Sequence, residues 1–472
     1  MGAKMARVGN GTNVNDDTFD LVVLGAGSGG YSCALRAAQL GLSVALVEKD
    51  RLGGTCLHVG CIPTKALLHA AEVADAARES AHVGINATFE GVDMTGVHRY
   101  KDGVVGRLHK GLAGLVKSRG ITVVEGHGRL VGPRTVEVAG RRLTGRHLVL
   151  ATGSRSRSLP GLEPDGERIL TSDHALTLDR VPDSVVVVGG GVIGCEFASV
   201  WRSFGAEVTI VEALPRLVPA EDEASSKALE RAFRKRGITA RTGVGFAGLE
   251  HTEKGVRLTL ADDSTLEADI VLVAVGRGPV TEDLGFAEQG ITLDRGFVVT
   301  DDRCRTGVEG VYAVGDIVPG LQLAHRGFAQ GLFVAEDIAG LAPRPIDEAT
   351  IPRVTYCEPE VASVGLTEAA ARETYGEDAV STVTYDLAGN GKSQILRTQG
   401  FVKLVRTVDG PVVGVHLVGA RVGEMISEAQ LIVGWEAHPE DVAPLLHAHP
   451  TQGEALGEAH LALAGSPLHA HA

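Results

Sequence analysis

Cys56 and Cys61, four residues between them in Gly53-Gly54-Thr55-Cys56-Leu57-His58-Val59-Gly60-Cys61-Ile62-Pro63-Thr64-Lys65, are the side chains best suited to redox chemistry. Pro63 fits the first turn of a helix, where its missing N–H is no loss, and residues 66–73 continue in strong helix formers. Cys61 thus falls at a helix N-terminus, where the macrodipole favours a thiolate. A disulfide across so short a loop contributes only about 2 kcal/mol of chain entropy. Bent into a helix start, it is strained and easily reduced. Two reduced thiols, or half of a zinc site, remain open on spacing alone. No second Cys pair or Cys–His pair has matching spacing. A second constellation lies near the end, in His447-Ala448-His449-Pro450-Thr451-Gln452-Gly453-Glu454. An imidazole followed by a carboxylate suits a base and its orienting partner; the alternative is a surface run in a His-rich tail. His469 and His471 read as solvated tail, and no metal site is expected.

Two repeated units must position these groups. Residues 19–24 read as a strand, Gly25, Gly27 and Gly30 punctuate the loop after it, 31–40 form a helix, and 43–47 a strand ending in Glu48. The pattern returns as strand 185–188, loop glycines Gly189, Gly191 and Gly194, helix 195–204, and strand 207–211 ending in Glu212 at the same spacing. Such glycines let backbone approach a pyrophosphate at a helix N-terminus, and the acid binds ribose hydroxyls. Two such units imply two dinucleotides. The cysteines follow the first, so a flavin belongs there and a nicotinamide cofactor in the second. Glu212 favours NAD over NADP, because it repels a 2′-phosphate; Arg216 is the nearest downstream cation.

Between the units, helices are expected at 66–80 and 100–119, and strands at 121–124, 135–138 and 147–150. Thr152, Gly153 and Ser154, and likewise 276–278, read as turns where the chain crosses between nucleotide domains. Asp316 ends a strand and suits a ribityl hydroxyl. Gln322, Leu323, Ala324 and His325 open a helix over 326–339 whose N-terminus suits the flavin. Residues 341–345 read as a linker. From 351 the chain carries strands at 380–385, 400–406 and 412–418 and helices at 425–437 and 451–463. This is an α+β module, an antiparallel sheet with helices on one face.

The bulk properties agree. The chain has 472 residues, so two to four domains are expected, and 44% are hydrophobic. A net charge of −14 argues against nucleic acid as partner. Six cysteines in this length are not a disulfide framework, which points to a reducing, cytoplasmic compartment. Residues 1–17 read as a disordered lead-in without an apolar core. No apolar run approaches the length of a membrane span.

From Phe19 to about Ala464 the chain resembles the dihydrolipoamide dehydrogenases of the pyridine nucleotide–disulfide oxidoreductase family. The residues that carry this are Gly53-Gly54-Thr55-Cys56 with Cys61 and Lys65, the run Gly191-x-Ile193-Gly194-x-Glu196, Val314-Gly315-Asp316, and His449-Pro450-Thr451-x-x-Glu454. The resemblance implies an α/β fold with two Rossmann-like dinucleotide-binding domains, for FAD and NAD, and a C-terminal α+β dimerisation domain. The implied boundaries are a tail over 1–17, an FAD domain over 18–160, an NAD domain over 161–285, a central domain over 286–350 and an interface domain over 351–472. Cys56 is then the thiol that exchanges with lipoamide, and Cys61 the charge-transfer thiol beside the flavin. Lys65 pairs with Glu196 near the flavin, and His449, held by Glu454, is the base acting across the dimer. Gly25, Gly27, Gly30, Glu48, Lys65, Gly128, Thr152, Gly153, Ser154, Asp316 and residues 322–325 line the FAD site. Gly189, Gly191, Gly194, Glu196, Glu212, Val244 and Gly276 line the NAD site.

The implied activity is oxidation of dihydrolipoamide through the Cys56–Cys61 disulfide and FAD to NAD⁺. The implied partners are a second copy and the lipoyl domain of a 2-oxo acid dehydrogenase E2 component or a glycine cleavage H protein. The rival readings are a glutathione- or mycothione-type reductase and a flavin-bearing scaffold subunit. His58 stands where many relatives carry Asn, and adds a titratable group near the cysteines. Gly453 stands where many carry Ser.

Overall fold

The computed structural model describes residues 15–469 and divides into two compact units. The chain passes from the first unit to the second after His58 and again after Arg155, and returns at Arg107 and Gly278 before a final passage after Ile346.

The first unit is built on apolar strands that read as continuous hydrophobic runs, the signature of a parallel sheet covered on both faces. Its parallel core has the order Thr122–Glu125, Val44–Glu48, Asn15–Leu24, Arg141–Leu150, Val311–Ala313. Thr135–Val138 and Arg129–Gly132 add an antiparallel flap beside Arg141–Leu150. The helices Ser28–Gln39 and Ala324–Ile338 pack on each other. One expectation is corrected here. Residues 1–14 lie outside the described residues, but 15–17 are strand, not lead-in. Asn15 and Asp17 pair in register with Arg141 and Leu143, and Asp17 holds the Arg141 guanidinium. A long-range strand partner overrides the local polarity of this segment.

The second unit contains a five-stranded parallel sheet, ordered Ile238–Thr242, Glu207–Glu212, Ser184–Val188, Ile270–Val273, Ile169–Leu170. Its helix Val192–Phe204 is buried along most of its length and packs against Cys61–Glu79. The same unit holds an antiparallel sheet ordered Arg353–Thr355, Glu360–Gly365, Val412–Gly419, Phe401–Thr407, Val380–Asp386.

That second sheet corrects another expectation, because helices cover both of its faces. Ala362, Val364, Val402, Leu404, Val415 and Leu417 face the helices Val422–Gly434 and Glu454–Leu463. The alternate residues face the other way. Val405 there packs on Ala371 of the helix Glu368–Tyr375. Ser363, His416 and Lys403 form a cross-strand row on that face. Lys403 reaches Asp222 at 2.8 Å and Glu368 at 2.7 Å, and Ser363 donates to Glu221. Polar residues within a buried strand face made this layer hard to see in one dimension. Finally, His469 is not free tail: its N–H and Nδ1 bind Glu458 at 3.0 and 2.8 Å. Residues 470–472 lie outside the described residues.

Candidate active site

The Gly25 and Gly189 loops make matching close contacts. Gly25 has φ +100°, and a Cβ there would lie 2.3 Å from the Ala151 carbonyl oxygen; Gly189 has φ +111° and would meet Ala274 O at 2.3 Å. A Cβ on Gly30 would strike Gly25 O at 1.8 Å, and one on Gly194 would strike Gly189 O at 1.9 Å. These positions admit no side chain. Gly27 and Gly191, by contrast, face open space, and each precedes a helix whose first N–H groups have no side-chain cap. Uncapped N–H groups beside an open glycine are what a pyrophosphate requires.

The acid that ends each next strand is anchored in the same way. Glu48 accepts the Ala26 N–H at 2.7 Å and the Asp50 N–H at 2.9 Å. Glu212 accepts the Gly190 and Leu214 N–H groups, each at 2.7 Å. Both cradles therefore fit a dinucleotide on geometry. Arg216 spends its guanidinium on the carbonyls of Pro219 and Glu221 at 2.8 and 3.1 Å, so it is not aimed at a 2′-phosphate. Val244 donates its N–H to Glu212 O and lines a cavity of about 300 Å³ with Arg241, Gly243 and Asp262. Gly276, at φ +101°, lies in the connection between the strands Ile270–Val273 and Arg277–Pro279.

The other residues expected around a flavin fall in the first unit with Gly25, except Lys65. Gly128 is seated against Leu24 and Val47. Thr152 donates its hydroxyl to Val280 O, and Gly153 O receives the Val280 N–H at 2.9 Å. Ser154 donates to Asp316 Oδ2 at 2.5 Å, and Gln322 Nε2 to Asp316 O at 3.3 Å. Leu323 caps the helix that Ala324 and His325 begin, without a side-chain bond to its first N–H groups.

Cys56 lies in a short helix, Gly54–His58; Cys61 is the first residue of the helix Cys61–Glu79, and both cysteines are half-buried. Gly53 and Gly54 dock the Cys56 helix on the first nucleotide loop. Gly53 donates its N–H to Ala26 O at 2.9 Å, and a Cβ on Gly54 would lie 2.6 Å from Gly27 Cα. His58 donates Nε2–H to Leu52 O at 2.9 Å, and His109, edge-on at 5.1 Å, donates to the same carbonyl. Burial, with smaller contributions from Arg51 and His109, pushes the His58 pKa down, so this ring is neutral at pH 7. The other four cysteines are buried, and burial pushes Cys33 up to about 12 and Cys195 and Cys357 well above the usual thiol range.

Lys65 Nζ binds both carboxylate oxygens of Glu196 at 2.9 Å. Glu196 is 2% exposed and also accepts the Tyr356 N–H at 3.0 Å. The ammonium lies 4.8 Å over the Tyr356 ring. Burial opposes the Lys65 charge, but Glu196 outweighs it and raises the pKa. The far end of the Cys61 helix is held too: Asp75 accepts from Ser203 and Arg236, and Arg236 also binds Ser199 and the Glu358 carbonyl. Neither Tyr356 nor Arg236 carried a sequence signal, since their partners are far along the chain.

His449 donates Nδ1–H to Glu454 Oε1 at 2.8 Å, and its side chain is 78% exposed. Glu454 Oε2 accepts the Thr451 N–H at 2.7 Å. Burial raises the Glu454 pKa, but the Thr451 N–H and His449 outweigh it and hold it below the usual carboxylate range. An ionised acid thus fixes the tautomer and leaves Nε2 open as a proton acceptor.

Residues 19–331 match the family described as pyridine nucleotide-disulphide oxidoreductase, and 351–460 match its dimerisation domain. A dihydrolipoyl dehydrogenase of Bacillus subtilis is 40% identical over 471 residues, covering 96% of this chain and 99% of that protein. The mitochondrial dihydrolipoyl dehydrogenase of Pisum sativum is 38% identical, covering 96% and 93%. The crystal structure of LpdA from Mycobacterium tuberculosis aligns with a TM-score of 0.88 at 28% identity, covering 95% of this chain and all of that one. The HOCl-induced flavoprotein disulfide reductase RclA of Escherichia coli aligns at 0.85 and 26%, covering 95% of this chain and all of that one. With two dinucleotide cradles, a cysteine pair following the first in sequence and both family segments matched, the chain belongs to the pyridine nucleotide-disulphide oxidoreductase family.

Proposed function

We propose that this chain is a dihydrolipoyl dehydrogenase, an FAD- and NAD-dependent enzyme that oxidises the dihydrolipoyl group to lipoyl through the Cys56–Cys61 pair. The observation that carries the reading is the His449–Glu454 pair, with Nδ1 engaged at 2.8 Å and the other ring nitrogen open. A dithiol substrate must lose two protons, and this is a base built to take the first. The domain boundaries implied by the resemblance belong to the same proposal.

In this mechanism His449 Nε2 takes the proton of one substrate thiol, and the thiolate attacks Cys56 Sγ. The Cys56–Cys61 bond breaks, and Cys61 leaves as a thiolate at its helix N-terminus. The second thiol attacks the substrate sulfur of the mixed disulfide; its proton passes to the departing Cys56 sulfur, lipoyl forms, and His449 releases the first proton to solvent. Bound FAD would supply a two-electron acceptor for the reduced cysteines and a hydride donor to NAD⁺. Gly25, Gly27, Gly30 and Glu48, with Asp316 and the 322–325 turn, hold the flavin nucleotide. Gly189, Gly191, Gly194, Glu212, Val244 and Gly276 hold the nicotinamide one. Lys65, fixed by Glu196, keeps a positive charge beside the reaction centre.

The family's dimerisation domain supports a homodimer in which each subunit's His449 serves the cysteine pair of the other. The substrate carrier is the lipoyl domain of a 2-oxo acid dehydrogenase complex or of glycine cleavage. Among the described residues no helix is long and apolar enough to cross a membrane, and a cytoplasmic location is part of the proposal.

The test is turnover of dihydrolipoamide with NAD⁺ by wild type, Cys56→Ser and His449→Gln. Cys56→Ser should lose the activity and keep its yellow flavin; His449→Gln should slow by on the order of 10². Turnover of oxidised glutathione or mycothione with NADPH, and none of dihydrolipoamide, would point to the rival reductase. A colourless purified protein would favour a scaffold.

A further inference from the structure

A second imidazole–carboxylate pair stands two residues before the first. His447 binds Glu428 of the helix Val422–Gly434 at 2.8 Å and is 14% exposed. Its ring lies against the start of the Glu454–Leu463 helix. A Cβ on Gly457 would sit 2.6 Å from His447 Nδ1, and one on Gly453 would sit 3.9 Å from its Cδ2. Of the two, only Gly457 excludes a side chain, and the imidazole takes the space its Cβ would fill. His447 is 14% exposed and His449 78%, so the first ring points inward and the second outward.

The turn between them is bolted at its other end. Ala448 O accepts the Thr451 hydroxyl at 2.7 Å, Asn390 donates to Thr451 O at 3.0 Å, and Gln452 binds Ala420 O at 2.9 Å. On the His449 side, the His447–Glu428 contact ties the segment to the helix Val422–Gly434.

We propose that His447, clamped by Glu428 and seated against Gly457, is the positioning residue that sets where His449 presents its open nitrogen. This rests on His449 being the base. A shift of about 1 Å in a catalytic group can cost up to 10² in rate.

The experiment compares wild type, His447→Ala, His447→Gln, Glu428→Gln, His449→Gln and the His447→Ala/His449→Gln double variant as full-length holoenzyme. Dihydrolipoamide turnover with NAD⁺ is read beside NADH–ferricyanide turnover, which uses neither imidazole and reports flavin content and folding. His447→Ala should lower kcat on the dithiol about tenfold with KM moved less than twofold. His447→Gln, which keeps a donor for Glu428, should recover most of the rate. The double variant should be no slower than His449→Gln, because residues acting through one group are not additive. A wild-type rate in His447→Ala overturns the proposal, as does a loss that adds in full to that of His449→Gln. A parallel fall in ferricyanide turnover does the same, by showing a general defect. If His447→Ala fails to fold, the same outcomes are read on Glu428→Gln. A wild-type rate in His449→Gln instead removes the base reading, and this outcome is separate from the others.

Discussion

Lys65→Met tests the energetics of the site most directly. Glu196 is 2% exposed, and its carboxylate takes two bonds from Lys65 and one from the Tyr356 N–H. Removing one partner of a buried pair costs about 3–5 kcal/mol, because the remaining charge is stranded. Lys65 keeps 34% of its side chain exposed, which places this case at about 3 kcal/mol. The Lys65 pKa is raised, so its contribution is fully present below the ordinary lysine value and constant from pH 5 to 8. At about 2–4 °C per kcal/mol, the melting temperature at pH 8 should fall by about 6–12 °C. Lys65→Met/Glu196→Gln should recover most of the loss, since an amide still accepts from Tyr356. A shift under about 2 °C at pH 8, or no recovery in the double variant, would refute the reasoning.

Three further outcomes are expected. Gly54→Ala, at φ +59° and 2.6 Å from Gly27 Cα, should separate the Cys56 helix from the nucleotide loop and cut flavin content at purification by about half or more, read as the 450/280 nm absorbance ratio. Glu212→Ala should raise KM for NAD⁺ by about tenfold and narrow the preference over NADP⁺, with the rate of flavin reduction by dihydrolipoamide unchanged in stopped flow. His416 is buried, donates to Leu366 O at 2.9 Å, and is pushed down to about 4 by burial. Its folded pKa is below the unfolded value, so stability is lost as pH falls from about 6.5 to 4, by up to about 3 kcal/mol. His416→Gln should flatten urea-melt stability across that window.

The legible parts of this chain were those where one local constraint leaves few residue choices. Gly25 and Gly30 are glycine because neighbouring carbonyls occupy the space of a Cβ, and Glu48 must sit where it can hold the loop. His449 and Glu454 bracket a helix start, so their spacing alone brought ring and carboxylate together. What escaped notice depends on contacts between distant segments. Tyr356 meets Lys65 across most of the chain, and Asn15 becomes strand only because Arg141 lies beside it. The Glu360–Gly365 strand was hidden by Ser363, a hydroxyl that looks like a break until its acceptor, Glu221, is in view. His447 was visible as a letter, but its inward turn depends on Gly457 and on Glu428 from another helix.

The near-identity of the Gly25 and Gly189 surroundings has an evolutionary consequence. The same forbidden contacts, on Ala151 and Ala274, recur to a tenth of an ångström, and so does the carboxylate anchored on the loop. Such repetition points to duplication of a single ancestral nucleotide-holding module. Outside the loop the first copy has Asp316 and the 322–325 turn within its unit. The inherited cradle is generic, and the identity of each guest is written in what was added around it.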